Sequence, residues 1–582
     1  MEFRMLIKGG TVVDGSGAPA YPGDVRVAGG RITEIGTNLT PARGERVIDA
    51  AGCIVSPGFI ETHSHWDGGV WWNPNVEPLP AYGATTFING NCGFSMAPAP
   101  QGDQEIQDVI DIFNYFEDIP EEPMRKIVPW DWKKWSEYKA SMEKNVRLPL
   151  HFSAFCGHIP LRLCVMGQDA WKRTATADEI DQMCALLVDA LDAGAMGLSS
   201  NFLDYDKWER PLPSQLADDA ELIALFNVVK RYEGATVQVI LDYFMRKTAN
   251  ASLERFGNLV RQTGVRLQWA GMPTLQYMAD QHPRAQELHD QFKAEGLPIF
   301  TGFNVISPTS VINFGRTLVF GQNGNIVWQD LVNHDGWEAK AALLASEDWR
   351  AKARASWDAQ FSHSYLHDPE ALLLRESESG YGPLGITLAT YMAQTGIAHA
   401  SDAMAEWVLN NGQESTVLKR SWEQNEAILE QLLVDSNSLA NVTDSGAHGK
   451  LFCGGGYNVF LLTEYVRDRK VISLEQGVHM LSGRLASFFG LHDRGTLEVG
   501  KVADITVFNL DEIEMRPEVK VWDVWDGTGG RTYRYSRDAA PMRLTLAAGV
   551  PTFDHGEFTG RYPGQFIGPE TQGGIPLAIA AE

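Results

Sequence analysis

Gly58-Phe59-Ile60-Glu61-Thr62-His63-Ser64-His65-Trp66-Asp67 closes an apolar run that begins at Ile54, and Ile54–Thr62 reads as a buried strand. Two histidines stand one residue apart at its end. The two-residue period of a strand turns both imidazoles to the same side, which makes them candidate metal ligands; a chance His-x-His at a strand end is the competing reading.

The chain has 582 residues, 44% hydrophobic and 21% charged, which suits a soluble globular protein of two or more domains. A formal net charge of -25, without a local basic cluster, argues against nucleic acid and anionic membrane as partners and favours a small-molecule substrate. No apolar run is long enough to span a bilayer, and the first residues lead into a strand-like segment with no signal-peptide stretch, so a cytoplasmic location is expected. Cys53, Cys92, Cys156, Cys164, Cys184 and Cys453 show neither CxxC pairs nor a framework spacing, which predicts reduced thiols. A homo-oligomer is compatible with this composition.

From Met5 to Asp49, short β-like runs are punctuated by Gly9-Gly10, Gly15-Ser16-Gly17 and Gly29-Gly30, and similar strands return from Gly495 to about Phe558. The two ends are therefore expected to share one small β domain, residues 1–53 with 491–567. Between them, strand candidates at Ile54–Thr62, Thr85–Asn89, Leu148–Phe155, Ala195–Ser199, Thr236–Leu241, Val265–Trp269, Pro298–Val305 and Leu439–Thr443 alternate with helical runs such as Ala177–Ala193 and Asp219–Tyr232. Eight parallel strands are the number of a (β/α)8 TIM barrel, here residues 54–490. An insertion over 307–436, with amphipathic runs at Trp337–Trp357 and Trp422–Leu433, is expected beside the barrel mouth. Residues 568–582 form a Gly/Pro/Gln-rich tail with little to bury, expected to be extended or disordered.

Functional groups in such a barrel collect where its strands end. His63 and His65 end the first strand, Cys92 follows the second, His158 the third, Asn201 the fourth, Asp242 ends the fifth and Asp444 the eighth. Cys92 is either a small buried thiol or a ligand. Asp444 either caps a turn or touches a metal while accepting a proton from water, and His448 is either a partner of that layer or an ordinary polar residue. Trp66, Trp71, Trp72 and Trp269 suggest an aromatic pocket, against the commoner core role. The glycines of Cys453-Gly454-Gly455-Gly456-Tyr457 look like a rim loop, with no Lys-Ser/Thr pair for a phosphate cradle.

The run Pro57–Asp67, then Gly83-Ala84-Thr85-Thr86 leading to Gly90-Asn91-Cys92-Gly93-Phe94-Ser95, resembles the amidohydrolase superfamily, and more narrowly its N-acyl-D-amino-acid deacylase (D-aminoacylase) branch. Gly157-His158 with Leu161-Arg162, Gly194–Ser200, Thr443–His448 and Gly490–Gly495 running to Ile505 add to the match. The resemblance implies a metal-dependent (β/α)8 barrel joined to a β-sandwich built from both chain ends. It implies His63, His65, Cys92 and Asp444 as metal ligands, with Asp444 also the general base, and it places His158 in the active site as a substrate-contacting or carbonyl-polarising group. Arg162, Tyr205, Asn201 and His448 are the matching substrate-side candidates; a surface arginine and a hydrogen-bonded loop histidine are the plainer readings of Arg162 and His158.

Two departures from that pattern matter. The family's histidines at the ends of strands five and six are absent, and Pro273 stands where the resemblance places its strand-six lysine. The expectation is one divalent metal per chain, zinc, with Asp242 a minor candidate for a substitute ligand. Four protein donors would close a tetrahedral site, so catalysis needs five-coordination or one donor standing off. The function expected is hydrolysis of an amide-type C–N bond outside peptides. The alternatives are a metal-assisted lyase or a C–C or ester hydrolase acting on a carbonyl compound, and a barrel that binds ligand without turnover.

Overall fold

The computed structural model describes residues 4–208, 210–241, 249–307, 309–360, 365–440, 442–527 and 529–569. The expected alternation of strands and helices is present in the middle of the chain, and its strands pair in parallel. Phe59–Glu61, Ala84–Asn89 and His151–Ala154 form one ladder. Cys156–Gly157, Gly197–Phe202, Thr236–Leu241, Leu267–Ala270, Ile299–Gly302 and Ser438–Leu439 form a second, six-stranded one. His63–Ser64 pairs with Val442–Ser445 in a third. Ala84–Asn89 and Leu267–Ala270 are buried at every position, as parallel strands covered on both faces must be.

Helices cover these strands for the reasons visible in their sequences. Ala177–Asp192 opens with a capping box, Thr176 accepting from the Glu179 N–H, and buries Met183, Leu187 and Leu191 on one stripe. Asp219–Lys230 begins at Asp218, which caps the Glu221 N–H.

The run Ile54–Thr62 is not one strand. Ile54–Pro57 pairs with Thr11–Val12 and with Ile505–Phe508, whereas Phe59–Glu61 joins the parallel ladder. Gly58 is the joint: its N–H donates to the Asp504 carbonyl at 2.9 Å, and a Cβ there would overlap the Thr85 side chain. Strands from both chain ends thus lie in one nine-stranded sheet, packed through Met5, Ile7, Val25, Val55, Val507 and Leu544. Beyond it the chain runs back along the parallel strands, where Phe566 packs edge-on against Trp135 and Phe152. The tail expectation for residues 570–582 lies outside the described residues.

The insertion holds more order than amphipathic runs and loops. Ser310–Asn313, Thr416–Lys419, Leu372–Glu376 and Ile386–Thr387 form an antiparallel sheet over a core containing Phe314, Trp328, Trp357 and Trp407. The run Trp337–Trp357 splits into Trp337–Ala345 and Glu347–Ala359, because Ser346 turns out of helix and caps the Trp349 N–H. Leu451 and Phe452, from the loop that follows Val442–Ser445, pack into this same core. Among the described residues, no helix is long and apolar enough to cross a membrane.

Candidate metal centre

His63 and His65 leave the first parallel strand with ring centroids 5.2 Å apart. Cys92 reaches them from the turn after Ala84–Asn89, where its φ of 55° lies in the left-handed region. That conformation is unfavourable for a cysteine and is held from both sides: the Cys92 N–H donates to Gln238 Oε1 at 2.8 Å, and Asn201 Nδ2 donates to the Cys92 carbonyl at 3.1 Å. The result is His63 Nε2 at 3.1 Å from Cys92 Sγ, with one donor atom each from His63, His65 and Cys92 within 4.8 Å of one another.

Asp444 arrives on Val442–Ser445, far along the chain, also with a left-handed φ, of 52°. Its Oδ1 stands 3.2 Å from His63 Nε2 and 3.8 Å from His65 Nε2. Its side chain keeps 31% of its surface, against 2% for His63, so Asp444 is the open edge of a closed cluster.

Burial lowers the pKa of both histidines, and for His63 the neighbouring Asp444 opposes that shift. Both rings are therefore neutral donors near pH 7, the form that ligates a metal. Burial, then the proximity of Glu117, Asp444, Asp204 and Asp67, pushes the Cys92 thiol well up. Burial likewise raises Asp67 to about 8 and Glu117 well above the usual carboxylate range. A divalent cation bound among these nitrogen, sulfur and oxygen donors would favour the deprotonated thiol that burial disfavours. The donor set fits zinc.

Two residues that sequence reading passed over belong to this centre. Glu117 ends the helix Asp103–Phe116, with Oε1 3.6 Å from His65 Nδ1 and Oε2 3.7 Å from His448 Nε2. Asp67, two residues beyond His65, accepts from the Gly90 N–H at 3.0 Å and ties the first strand to the turn carrying Cys92. No local signal marks Glu117, which sits in an ordinary amphipathic segment; Asp67 lay within the motif itself.

The other expected site residues divide. His448 joins the cluster's outer layer, its N–H bonded to the Glu117 carbonyl at 2.6 Å. Asn201 is fully buried and supports Cys92 and its own turn, accepting from the N–H groups of Leu203 and Asp204. His158 is held by two partners, with Nδ1 2.8 Å from Ser200 Oγ and Nε2 2.8 Å from Glu221 Oε1. Arg162 is buried beside it and pairs with Glu221. Tyr205 is half-buried in a bridge to Pro211. Asp242 lies outside the described residues. On strands five and six, Gln238 takes the Cys92 N–H, and Gln268 is buried with neither amide atom bonded to protein.

A cavity of about 560 Å³ adjoins the centre, lined by Trp66, Trp72, Arg316, Lys450, Tyr533 and Arg534 among others. It touches Ser445 and Gly446, the neighbours of Asp444, but none of the four donors. Of the tryptophans expected at a pocket, Trp66 and Trp72 line this one, whereas Trp71 stacks on Trp132 and Trp269 is core. Gly454 and Gly455 of the glycine loop lie on its wall.

Residues 46–353 and 440–553 match the family model described as amidohydrolase family. The chain belongs to the amidohydrolase family. The unmatched stretch falls within the insertion and runs just beyond it. N-acyl-D-glutamate deacylase of Alcaligenes xylosoxydans xylosoxydans is 26% identical over 537 residues, 88% of each chain. D-aminoacylase of the same organism is 23% identical over 578 residues, 97% of each. Among solved structures, N-acyl-D-glutamate deacylase from Bordetella bronchiseptica, complexed with zinc and a phosphonate inhibitor, superposes with a TM-score of 0.66 over 97% of this chain and 100% of its own, at 22% identity. The mixed α/β fold is that of these deacylases, and the resemblance to their branch is borne out. As an amidohydrolase, the protein is a hydrolase of carbon–nitrogen bonds other than peptide bonds.

Proposed function

We propose that the protein hydrolyses a non-peptide amide at a single divalent cation, zinc, held by His63, His65, Cys92 and Asp444. The observation that carries this reading is the convergence of those four side chains from three separate stretches of chain. A divalent ion bound there supplies Lewis acidity, polarising the amide carbonyl and lowering the pKa of water from about 15.7 towards about 7. Asp444, the donor with the most exposed side chain, takes the proton from attacking water and delivers it to the departing nitrogen. His63 and His65 stay neutral and fixed. Asn201 and Gln238 keep Cys92 in its turn, while Glu221 holds His158 and Arg162 as a buried support behind the Ser200 strand.

The absence of imidazole from strands five and six supports one cation, because Gln238 and Gln268 stand on those strands. Pro273, in place of the lysine that the resemblance pairs with a substrate carboxylate, favours a neutral or aromatic amide, a cyclic amide or an ester over a plain N-acyl-D-amino acid. Successive parallel pairing supports closure into a (β/α)8 barrel: the first strand meets the second, the six-stranded ladder ends on Ser438–Leu439, and Val442–Ser445 returns to His63–Ser64. The shared nine-stranded sheet supports the two-ended β domain. Six free cysteines support a reducing compartment, the cytoplasm.

Elemental analysis joined to a panel of N-acyl-D-amino acids, aryl amides and lactams tests the proposal. One zinc per chain and turnover of the uncharged amides are expected. Two tightly held ions, or rapid turnover confined to acetyl-D-amino acids, would overturn it.

A further inference from the structure

We propose that Glu117 is a positioning residue of this centre, orienting His65 towards the cation from the far side of its ring; the inference rests on the metal reading above. His65 presents Nε2 to Asp444, which leaves Nδ1 on the opposite edge, buried and without a hydrogen-bond partner. Glu117 Oε1 stands 3.6 Å from that atom. A cation bound at Nε2 would favour the ionised form of Glu117 over the neutral form that burial favours, and a carboxylate there selects the tautomer with the proton on Nδ1, so that the Nε2 lone pair points at the ligand cluster. Among the described residues no carboxylate pairs with His63 Nδ1, which is also buried without a hydrogen bond, so the two imidazoles are supported unequally.

The turn carrying Glu117 is fixed from outside. Asp118 adopts a left-handed φ of 55°. Its Oδ1 pairs with Arg316 Nε of the insertion at 2.8 Å, and its Oδ2 accepts the Lys450 N–H, in the loop that follows Val442–Ser445, at 2.7 Å. The Glu117 carbonyl takes the His448 N–H at 2.6 Å. The insertion and the loop that follows Val442–Ser445 therefore set where the carboxylate stands, and through His65 they set the geometry of the centre.

Glu117→Gln keeps the volume and removes the charge; Glu117→Asp keeps the charge and withdraws it. Both are compared with the full wild-type chain by zinc titration against a chromogenic chelator, by the visible spectrum of the cobalt(II) form, and by unfolding of the metal-free protein. Glu117→Gln should bind zinc about ten- to a hundredfold more weakly, with shifted cobalt bands and an unchanged metal-free unfolding temperature, and Glu117→Asp should fall between. Wild-type affinity with a superimposable cobalt spectrum would overturn the inference, as would an affinity loss matched in both variants by a lower metal-free unfolding temperature. A wild-type chain that binds no zinc would instead remove the metal reading itself.

Discussion

Asp444 differs from its companions in access. Its side chain is 31% exposed, whereas His63 and His65 keep 2% and 1%. A group that exchanges protons with water and a leaving nitrogen needs that access, and ligands that only hold a cation do not. Asp444→Asn should therefore retain zinc through the two imidazoles and Cys92 while kcat falls by about 10²–10⁴-fold, measured at saturating zinc. Cys92→Ala removes the donor nearest His63 Nε2 and should lower zinc content instead, read by elemental analysis after dialysis. Sequence made the first pair legible because strand alternation is local. It gave no sign of the partner that holds His158, because Glu221 lies on a different helix 63 residues on. Glu117 was invisible for the same reason: nothing within its own helix distinguishes it from a solvated acid.

At the scale of elements, the apolar run from Ile54 looked continuous because both halves are buried, and hydrophobicity alone does not tell which sheet a strand joins. Gly58 decides it, by allowing the chain to pass against Thr85 where a side chain would not fit. Gly58→Val should destabilise the protein by about 1–3 kcal/mol through overpacking, seen as a lower urea midpoint with an unchanged m-value. The insertion shows the complementary case. Its helices were readable from periodicity, but the Ser346 break was not, since Trp337–Trp357 keeps a helical pattern across a serine that caps the second helix. Its antiparallel sheet pairs Ser310–Asn313 with Thr416–Lys419, about a hundred residues apart, and such pairing has no local signature.

For the molecule as a whole, one buried ionic group fastens the terminal sheet to the parallel strands. Asp504 Oδ1 lies 3.0 Å from His151 Nε2, and Asp504 Oδ2 lies 2.6 Å from Arg494 Nη1. Burial would raise the Asp504 pKa, but His151, Arg494 and the Ala548 N–H outweigh it and hold the group at about 2, below its ordinary 3.8. Because the folded value is the depressed one, the stabilisation is complete above pH 3.8 and disappears as pH falls through about 2. It amounts to about 2 kcal/mol. Urea unfolding of wild type from pH 5 to pH 2 should show this loss, and Asp504→Asn, less stable at neutral pH by about 3–5 kcal/mol, should have a flatter profile over that range. By itself the sequence determined the alternating strands and helices of the parallel α/β core and the His63–His65 pair. These follow from periodicity and spacing over a few residues. Only the tertiary structure decided that Glu117 stands against His65, that Gly58 divides one apolar run between two sheets, and that His158 pairs with Glu221. Each of those is a contact between segments distant in the chain, set by which strands pair and how helices pack over them, and short-range pattern carries no record of it.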